Sequence, residues 1–255
     1  MAQPVHQQFR IRHAFSSDFN KLIEFYRSNS SPALPLESAK TIGDAIEAGR
    51  TLIVEPRHNP GVVLATGSLF QLTPQASVTY IAELAGARVT EALDGAGPVT
   101  VRMMLIGLRL LGHAAYEQPF AAGATNSIIA VVHKDNNARI ATLEAMNMHP
   151  LGDTLPSWLN CNQIAWYGST IDDDWRYYYA NNDTIVRSLE VLDAIGLFSS
   201  SITLHRQNKL SGQQESFEFA LDLNDLIDAA EDLKTILHRT ASAVLMPPPP
   251  SILFA

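Results

Sequence analysis

Residues 80–116 constrain the fold of this chain more than any other stretch. They contain a strand candidate at 80–89, a loop with Gly95, Ala96 and Gly97, and a long apolar helix that we expect to begin at Pro98. Proline suits the first helical position because its missing N–H would have no partner within the helix. A glycine-bearing turn before a helix exposes backbone N–H groups beside the positive end of the helix dipole, where phosphate-like anions bind. The stretch therefore predicts a βα unit that can bind a phosphate-bearing ligand.

The same turn can also be a plain connection. Every strand-to-helix unit needs a turn, and glycine is the commonest turn residue. The sequence has no G-x-G-x-x-G pattern, since Thr100 stands where the third glycine would fall, and it has no G-x-x-x-x-G-K-[ST] pattern. Dinucleotide and P-loop nucleotide sites are therefore disfavoured, and another phosphate carrier is expected.

Composition limits the partners and the compartment. The 255 residues are 46% hydrophobic and 17% charged, with a net charge of -8, so a core is expected and a nucleic-acid partner is not. Cys161 is the only cysteine, the eight histidines contain no H-x-x-x-H, and we predict no metal site. No leader and no apolar run of membrane-spanning length occur, so we predict a cytoplasmic protein without a membrane partner.

The order of the predicted elements indicates an α/β fold with a mixed sheet. Helices alternate with strands and with one hairpin, which places helices on both faces of the sheet. Asn136 is expected to cap a helix, and Gly49 to end one. The elements are a strand at 9–12, a helix from 19, a helix at 37–48, a hairpin of 51–55 with 62–72, the βα unit above, a buried strand at 127–132 and a helix after 136.

Residues 171–255 are predicted to form an extension to a first domain at 1–170. Asn182 or Asp183 is expected to cap a helix, a hairpin of 202–206 with 216–221 follows it, and an acidic helix and a proline-rich tail come last. About 70 residues of this kind rarely close a core alone. We therefore expect the extension to dock on the first domain or on a second subunit. In the second case the protein would be a homodimer.

Over residues 9–170 the chain resembles the GNAT superfamily of acyl-coenzyme A N-acyltransferases. The strand ending at Val89 and the loop Asp94–Val99 stand at the family's last strand valine and pyrophosphate loop. Val132 and Asn136 match the family's strand-to-asparagine spacing, and 145–148 falls at its lysine-leucine-glycine-phenylalanine ending. The resemblance implies a mostly antiparallel mixed sheet flanked by helices, and acetyl-coenzyme A or another acyl-coenzyme A as co-substrate.

The resemblance also implies which residues bind the coenzyme. Gly95, Ala96, Gly97 and Val99 would hold the pyrophosphate, and Asn136 would add a further contact. Backbone N–H groups near Ala87 and Val89 would hold the pantetheine arm and polarise the thioester, provided that strand 80–89 splays from strand 127–132.

Glu83 is the candidate general base, because it stands where some members of the family place theirs. A carboxylate there can take a proton from the attacking amine directly or through water. Glu83 can instead be a polar strand residue that faces solvent or pairs with a basic side chain. Arg102, Arg109 and His113 share one stripe of the long helix, which predicts a solvated face, although Arg102 is near enough to the helix start to reach a phosphate.

Two classes of function follow. The first is N-acyl transfer from coenzyme A to a small-molecule amine or a protein amine. The second is a GNAT-like binding or regulatory module without catalysis, because Asp94, Val99 and Leu143 depart from the family pattern; Leu143 stands where the family has a tyrosine that often protonates the departing thiolate.

Overall fold

The computed structural model of the chain describes residues 5–30, 38–71, 81–90, 93, 98–116, 127–150, 174–198, 200–207 and 212–244. The strands within these residues are β1 (Val5–His13), β2 (Thr51–Pro56), β3 (Ala65–Gln71), β4 (Ile81–Val89), β5 (Ser127–His133), β6 (His149–Pro150), β7 (Trp175–Tyr179), β8 (Ser201–Gln207) and β9 (Gln214–Asp222). The helices are α1 (Phe19–Ser28), α2 (Ala39–Glu47), α3 (Pro98–Tyr116), α4 (Asn137–Ala145), α5 (Asn182–Ala194) and α6 (Asn224–Val244).

The strands form one nine-stranded sheet in the order β6-β7-β5-β4-β3-β2-β1-β9-β8. Two neighbouring pairs, β1 with β9 and β4 with β5, are parallel, and the other pairs are antiparallel. Helix α3 packs on β3 and β4 and is covered by α4, α5 and α6, whereas α1 and α2 pack together against the opposite face. The α/β class with a mostly antiparallel mixed sheet is therefore confirmed.

The helix boundaries follow the local signals of the sequence. Helix α3 begins at Pro98, and the side chain of Asn136 accepts a hydrogen bond of 3.1 Å from the backbone N–H of Arg139, so it caps α4. Helix α2 is followed by Gly49 with φ +65°, a conformation that glycine adopts without strain. The cap of α5 is Asn181, one residue before the predicted position, because its side chain reaches the N–H of Thr184.

Helix α4 is followed by a residue with a left-handed backbone conformation. Asn147 has φ +55° and stands where the family has glycine. Asparagine is one of the few other residues that adopt this left-handed conformation. The N–H of Met148 then bonds to the carbonyl oxygen of Leu143 at 3.0 Å, which closes the helix end.

Residues after 171 continue the same sheet. Strand β7, which was not predicted from the sequence, pairs with β5. Strand β9 pairs with β1 along eight residues, Val5–Arg12. Helices α5 and α6 both pack on α3, and the added methyl group of an alanine at Gly112 would lie 3.1 Å from Leu226 of α6. The sequence of residues 158–169 predicts the final hairpin strands of the first domain, and these residues lie outside the described ones.

Candidate active site

Strands β4 and β5 separate after three residue pairs. Ile81, Ala82 and Glu83 pair in parallel with Ser127, Ile128 and Ile129, and the described ladder ends there. Both strands continue beyond this point, β4 to Val89 and β5 to His133. Among the described residues, no strand therefore pairs with the part of β4 after Glu83 on the β5 side, as the predicted splay requires.

A β-bulge lies in β4 beyond the end of this ladder. Ala85 pairs with Ser68 and Arg88 pairs with Thr66, so two residues, Gly86 and Ala87, oppose the single residue Gly67. A bulge turns backbone groups out of the regular ladder. Ala87 and Val89, predicted to offer backbone N–H groups to a ligand, lie at the bulge and at the end of β4. Gly67 also marks a close approach, because an added Cβ would lie 3.1 Å from the Cβ of Leu105 on α3.

Glu83 is the last β4 residue that pairs with β5, and only 1% of it is exposed. Its register partner on β3 is Phe70, which packs against Ala45 of α2. Its neighbours in β4, Ala82 and Leu84, belong to the core around α3 on the other face. Because side chains alternate along a strand, Glu83 points to the α1–α2 face. The solvent-facing alternative for Glu83 is therefore wrong.

Arg139 of α4 reaches into the opening between β4 and β5. It is 7% exposed, and its Nη2 donates a hydrogen bond of 2.9 Å to the carbonyl oxygen of Leu84, the first β4 residue beyond the ladder. Helix α4 packs on α3, so this guanidinium approaches β4 from the face opposite to the Glu83 side chain. Arg139 was not predicted as a site residue from the sequence. The feature of the sequence that could have indicated it is its position four residues before Leu143, which places an arginine on the buried stripe of α4.

Arg88 shows the effect of the bulge on side-chain direction. It pairs with Thr66, which lies on the same face of β3 as Phe70, so Arg88 and Glu83 point to the same face although they are five positions apart. Its Nη1 donates to the carbonyl oxygen of Tyr26 at 2.7 Å, and its guanidinium lies 4.6 Å from the centre of the Tyr26 ring. Arg88 therefore fixes α1 beside the opening.

Two residues discussed from the family pattern have structural roles. The Asn136 side-chain oxygen caps α4, which leaves its NH₂ group as the part that can contact a ligand. Leu143 is fully buried in the core around α3. A tyrosine placed there would have to fit a ring and a hydroxyl group into packed space, which commonly costs about 1–3 kcal/mol.

The predicted pyrophosphate loop falls outside the described residues. Gly95, Ala96 and Gly97 are among those not described, and of Val99 only the backbone, in the first turn of α3, is described. Arg102 is partly buried one turn further along α3, and burial lowers the pKa of its guanidinium. Its Nε has no hydrogen-bond partner within the described part of the chain.

The expected solvated stripe of α3 is wrong for two of its three residues. Arg109 is 4% exposed and His113 is 1% exposed. Arg109 Nη1 donates to the carbonyl oxygen of Gly49 at 3.0 Å, so this arginine joins α3 to the end of α2. Helices α5 and α6 also pack on α3.

The described residues contain neither a metal-binding cluster nor a membrane-spanning helix. They contain no cluster of three or more His, Cys, Asp or Glu side chains able to hold a metal ion. They also contain no helix with the length and apolar composition needed to cross a membrane.

Comparisons with known proteins give likenesses of structure only. No family model matches the sequence, and no curated protein matches it significantly. Among solved structures, the chain is similar to Arabidopsis thaliana NAA60 in complex with a bisubstrate analogue, with 12% identity, a TM-score of 0.45, and coverage of 68% of this chain and 97% of that one.

Two bacterial structures show similar values. An N-acetyltransferase from Staphylococcus aureus is 13% identical, with a TM-score of 0.44 over 68% of this chain and 97% of that one. A ribosomal-protein-alanine N-acetyltransferase from Brucella melitensis is 18% identical, with a TM-score of 0.45 over 67% and 98%. At such values we infer nothing about activity from the likeness, and the proposal below rests on the geometry of β4 and β5.

Proposed function

We propose that the chain is an N-acyltransferase that moves an acyl group, with acetyl as the first candidate, from coenzyme A to an amine. The observation that carries the proposal is the end of the β4–β5 ladder at Glu83 and Ile129, beside a buried carboxylate. The pantetheine arm of coenzyme A contains two amides, which can pair with the β4 edge as an added strand would. The bulge at Gly86 and Ala87 supports this, because it re-aims backbone groups next to that edge.

Glu83 is the proposed general base. An amine attacks a thioester only when it is neutral, and a carboxylate at the end of the ladder can accept its proton directly or through water. The bond from the amine nitrogen to the carbonyl carbon forms, the bond from carbon to sulfur breaks, and the thiolate leaves. The acceptor enters from the α1–α2 face, to which Glu83 points, and it is a small-molecule amine or a protein amine.

The coenzyme residues proposed from the sequence complete the site. Gly95, Ala96, Gly97 and Val99 would hold the pyrophosphate at the N-terminus of α3, where the helix dipole favours anions. We propose the NH₂ group of Asn136 for a further contact, since its oxygen caps α4.

A non-catalytic module is the second candidate. The observation that favours it is the fully buried Leu143, which supplies no proton to a departing thiolate. In that case acyl-coenzyme A would bind at the same opening and no amine would be acylated.

The test combines calorimetric titration of acetyl-coenzyme A with a thiol-release assay against small amines and peptides with free N-termini. Binding with release that depends on an amine supports the transferase. Binding without release supports the module, and absence of binding overturns both. The assays also include Glu83→Gln, which removes the proposed base, and Glu218→Gln, which makes the same change in β9, four strands away from β4 in the sheet, as its control.

A further inference from the structure

The opening between β4 and β5 contains a buried cation that the proposed mechanism does not yet use. Arg139 is 7% exposed, and its Nη2 lies 2.9 Å from the carbonyl oxygen of Leu84. In a longer parallel ladder, that carbonyl would accept a hydrogen bond from β5, but the pairing ends one residue earlier. The guanidinium therefore takes the place of a strand at the first position of the opening.

The two charged groups approach this position from opposite faces of the sheet. The Glu83 side chain points to the α1–α2 face, whereas Arg139 extends from α4 on the α3 face. Adjacent residues of a strand are about 3.3 Å apart. A ligand carbonyl beside Glu83 and Leu84 would therefore have a base on one side and a guanidinium on the other.

We propose that Arg139 is a catalytic residue that binds the thioester carbonyl oxygen and stabilises the oxyanion formed from it. This inference rests on the proposed function. Arg139 now bonds to a neutral carbonyl oxygen of the backbone, and the thioester oxygen is an acceptor of the same kind, so the two can be exchanged. When the amine attacks, the electrons of the C=O double bond move to that oxygen, and a charged acceptor binds a guanidinium more strongly than a neutral one.

The hydrogen bond from Arg139 to the thioester oxygen is therefore stronger in the transition state than in the ground state. An interaction that strengthens as charge develops lowers the barrier without tightening ground-state binding to the same extent. The electrons return when the C–S bond breaks, the thiolate leaves, and the amine proton passes to the Glu83 carboxylate. Arg139 takes no proton and forms no covalent bond in this sequence.

The experiment measures binding as well as turnover. Wild type, Arg139→Met and Arg109→Met are titrated with two coenzyme A analogues: a ketone in which a methylene group replaces the thioester sulfur, and S-ethyl coenzyme A, which has no carbonyl. Arg109 is the matched control, because it is equally buried and donates to a backbone carbonyl at 3.0 Å, but on Gly49 beyond the end of α2.

We expect Arg139→Met to lower the affinity for the ketone analogue at least about fivefold more than the affinity for the S-ethyl analogue. It should also lower kcat by about 10²–10³, as for loss of an oxyanion donor. Arg109→Met should lower thermal stability and leave the ratio of the two affinities unchanged. If Arg139→Met does not fold, Arg139→Lys, which keeps the charge and loses the planar fork, takes its place with the same expected order of affinities.

The outcomes separate this inference from the proposed function. If wild type binds both analogues and the Arg139 variants weaken both equally or neither, the assignment of Arg139 is overturned and acyl-coenzyme A binding remains. If wild type binds neither analogue, the proposed function and the assignment of Arg139 are both overturned.

Discussion

The sheet formed by the described residues contains two parallel ladders. The ladder between β1 and β9, called the full-length ladder below, includes all but one residue of each strand, whereas the ladder between β4 and β5 is interrupted. Strand β1 pairs with β9 over eight residues, from Val5 to Arg12, and Phe9 stacks on Phe219 with ring centres 5.1 Å apart. Strand β4 pairs with β5 over three residues and then separates. The same type of pairing thus joins the C-terminal segment to the sheet in one place and ends early in the other. The first ladder joins the C-terminal segment to the sheet, and the second ends beside the edge of β4 to which we propose that the coenzyme binds.

Buried arginines beside the two ladders have different hydrogen-bond acceptors. Beside β1, the Glu55 carboxylate accepts hydrogen bonds from Arg10 and Arg12, and Arg12 also binds Asp18 at 2.7 Å. Opposite charges are matched there. At the second ladder, Arg139 bonds to the backbone carbonyl of Leu84. The buried ion pairs beside β1 hold elements in place, whereas the hydrogen bond from Arg139 to Leu84 is the one that we propose a ligand carbonyl replaces.

The largest expected effect comes from removing the full-length ladder. A chain ending at residue 199 lacks β8, β9 and α6, which exposes the β1 edge and the part of α3 that α6 covers. An open edge and an apolar patch favour aggregation. We expect no folded monomer by size-exclusion chromatography, whereas a chain ending at residue 244 should behave as wild type. A soluble monomer ending at 199 with unchanged thermal stability would show that the first ladder is dispensable.

At the interrupted ladder, the largest expected effect is on rate. Glu83→Gln keeps the side-chain shape and removes the proton acceptor, so turnover should fall by about 10²–10⁴ with acetyl-coenzyme A binding retained. The loss should shrink as pH rises, because more of the amine then arrives neutral. The measurement is the pH profile of kcat/KM with one fixed amine. Profiles of equal height and shape for the variant and wild type would remove Glu83 from the mechanism.

A smaller effect is expected at the predicted pyrophosphate loop. Gly97→Glu introduces bulk and negative charge where we propose that the pyrophosphate binds, so coenzyme A affinity should fall at least about tenfold, or about 1.4 kcal/mol. Calorimetric titration of the variant measures this, with circular dichroism as the check of folding. Equal affinity in a folded variant would contradict the assignment of Gly95, Ala96, Gly97 and Val99.

The smallest expected effect concerns acid stability near the full-length ladder. Burial opposes ionisation of Glu55, but hydrogen bonds from Arg12, Arg10 and Gly61 outweigh it and lower its pKa to about 2. A carboxyl group with a lowered folded-state pKa stabilises the fold above its unfolded pKa, and this contribution disappears as pH falls through the folded value.

The measurement is urea unfolding of wild type and Glu55→Gln between about pH 5 and about pH 3. The free energy of unfolding of wild type should decrease more steeply over this interval than that of the variant. Parallel slopes would show that Glu55 contributes nothing to the acid sensitivity. Coenzyme affinity measured at neutral pH should be the same in both proteins.

Local signals explain why much of the fold could be predicted. Pro98, Asn136 and Gly49 mark helix ends through their own backbone chemistry, and the structure has helix boundaries at each of them. Strand β7 was missed, because its run Trp175–Tyr179 has no alternation of polar and apolar residues to distinguish it from a loop.

Glu83 was selected from the sequence, but its environment was not determined there. The family resemblance made it a candidate base, because it stands where some members of the family place theirs. Its burial follows from the strands on both sides, since Phe70 and Ile129 are its register partners. Arg109 and His113 illustrate the same limit, because helices distant in sequence cover the stripe of α3 that would otherwise be solvated.

The sequence by itself determined most of the elements, their order and the resemblance to an acyltransferase family, because periodicity, caps and turn residues act over a few neighbouring positions. Only the tertiary structure decided where β4 leaves β5, that the bulge at Gly86 and Ala87 turns Arg88 to the face of Glu83, and that Arg139 bonds to Leu84. These features depend on hydrogen bonds between strands and helices far apart in the chain. No local pattern specifies the register of such bonds or the residue at which they end.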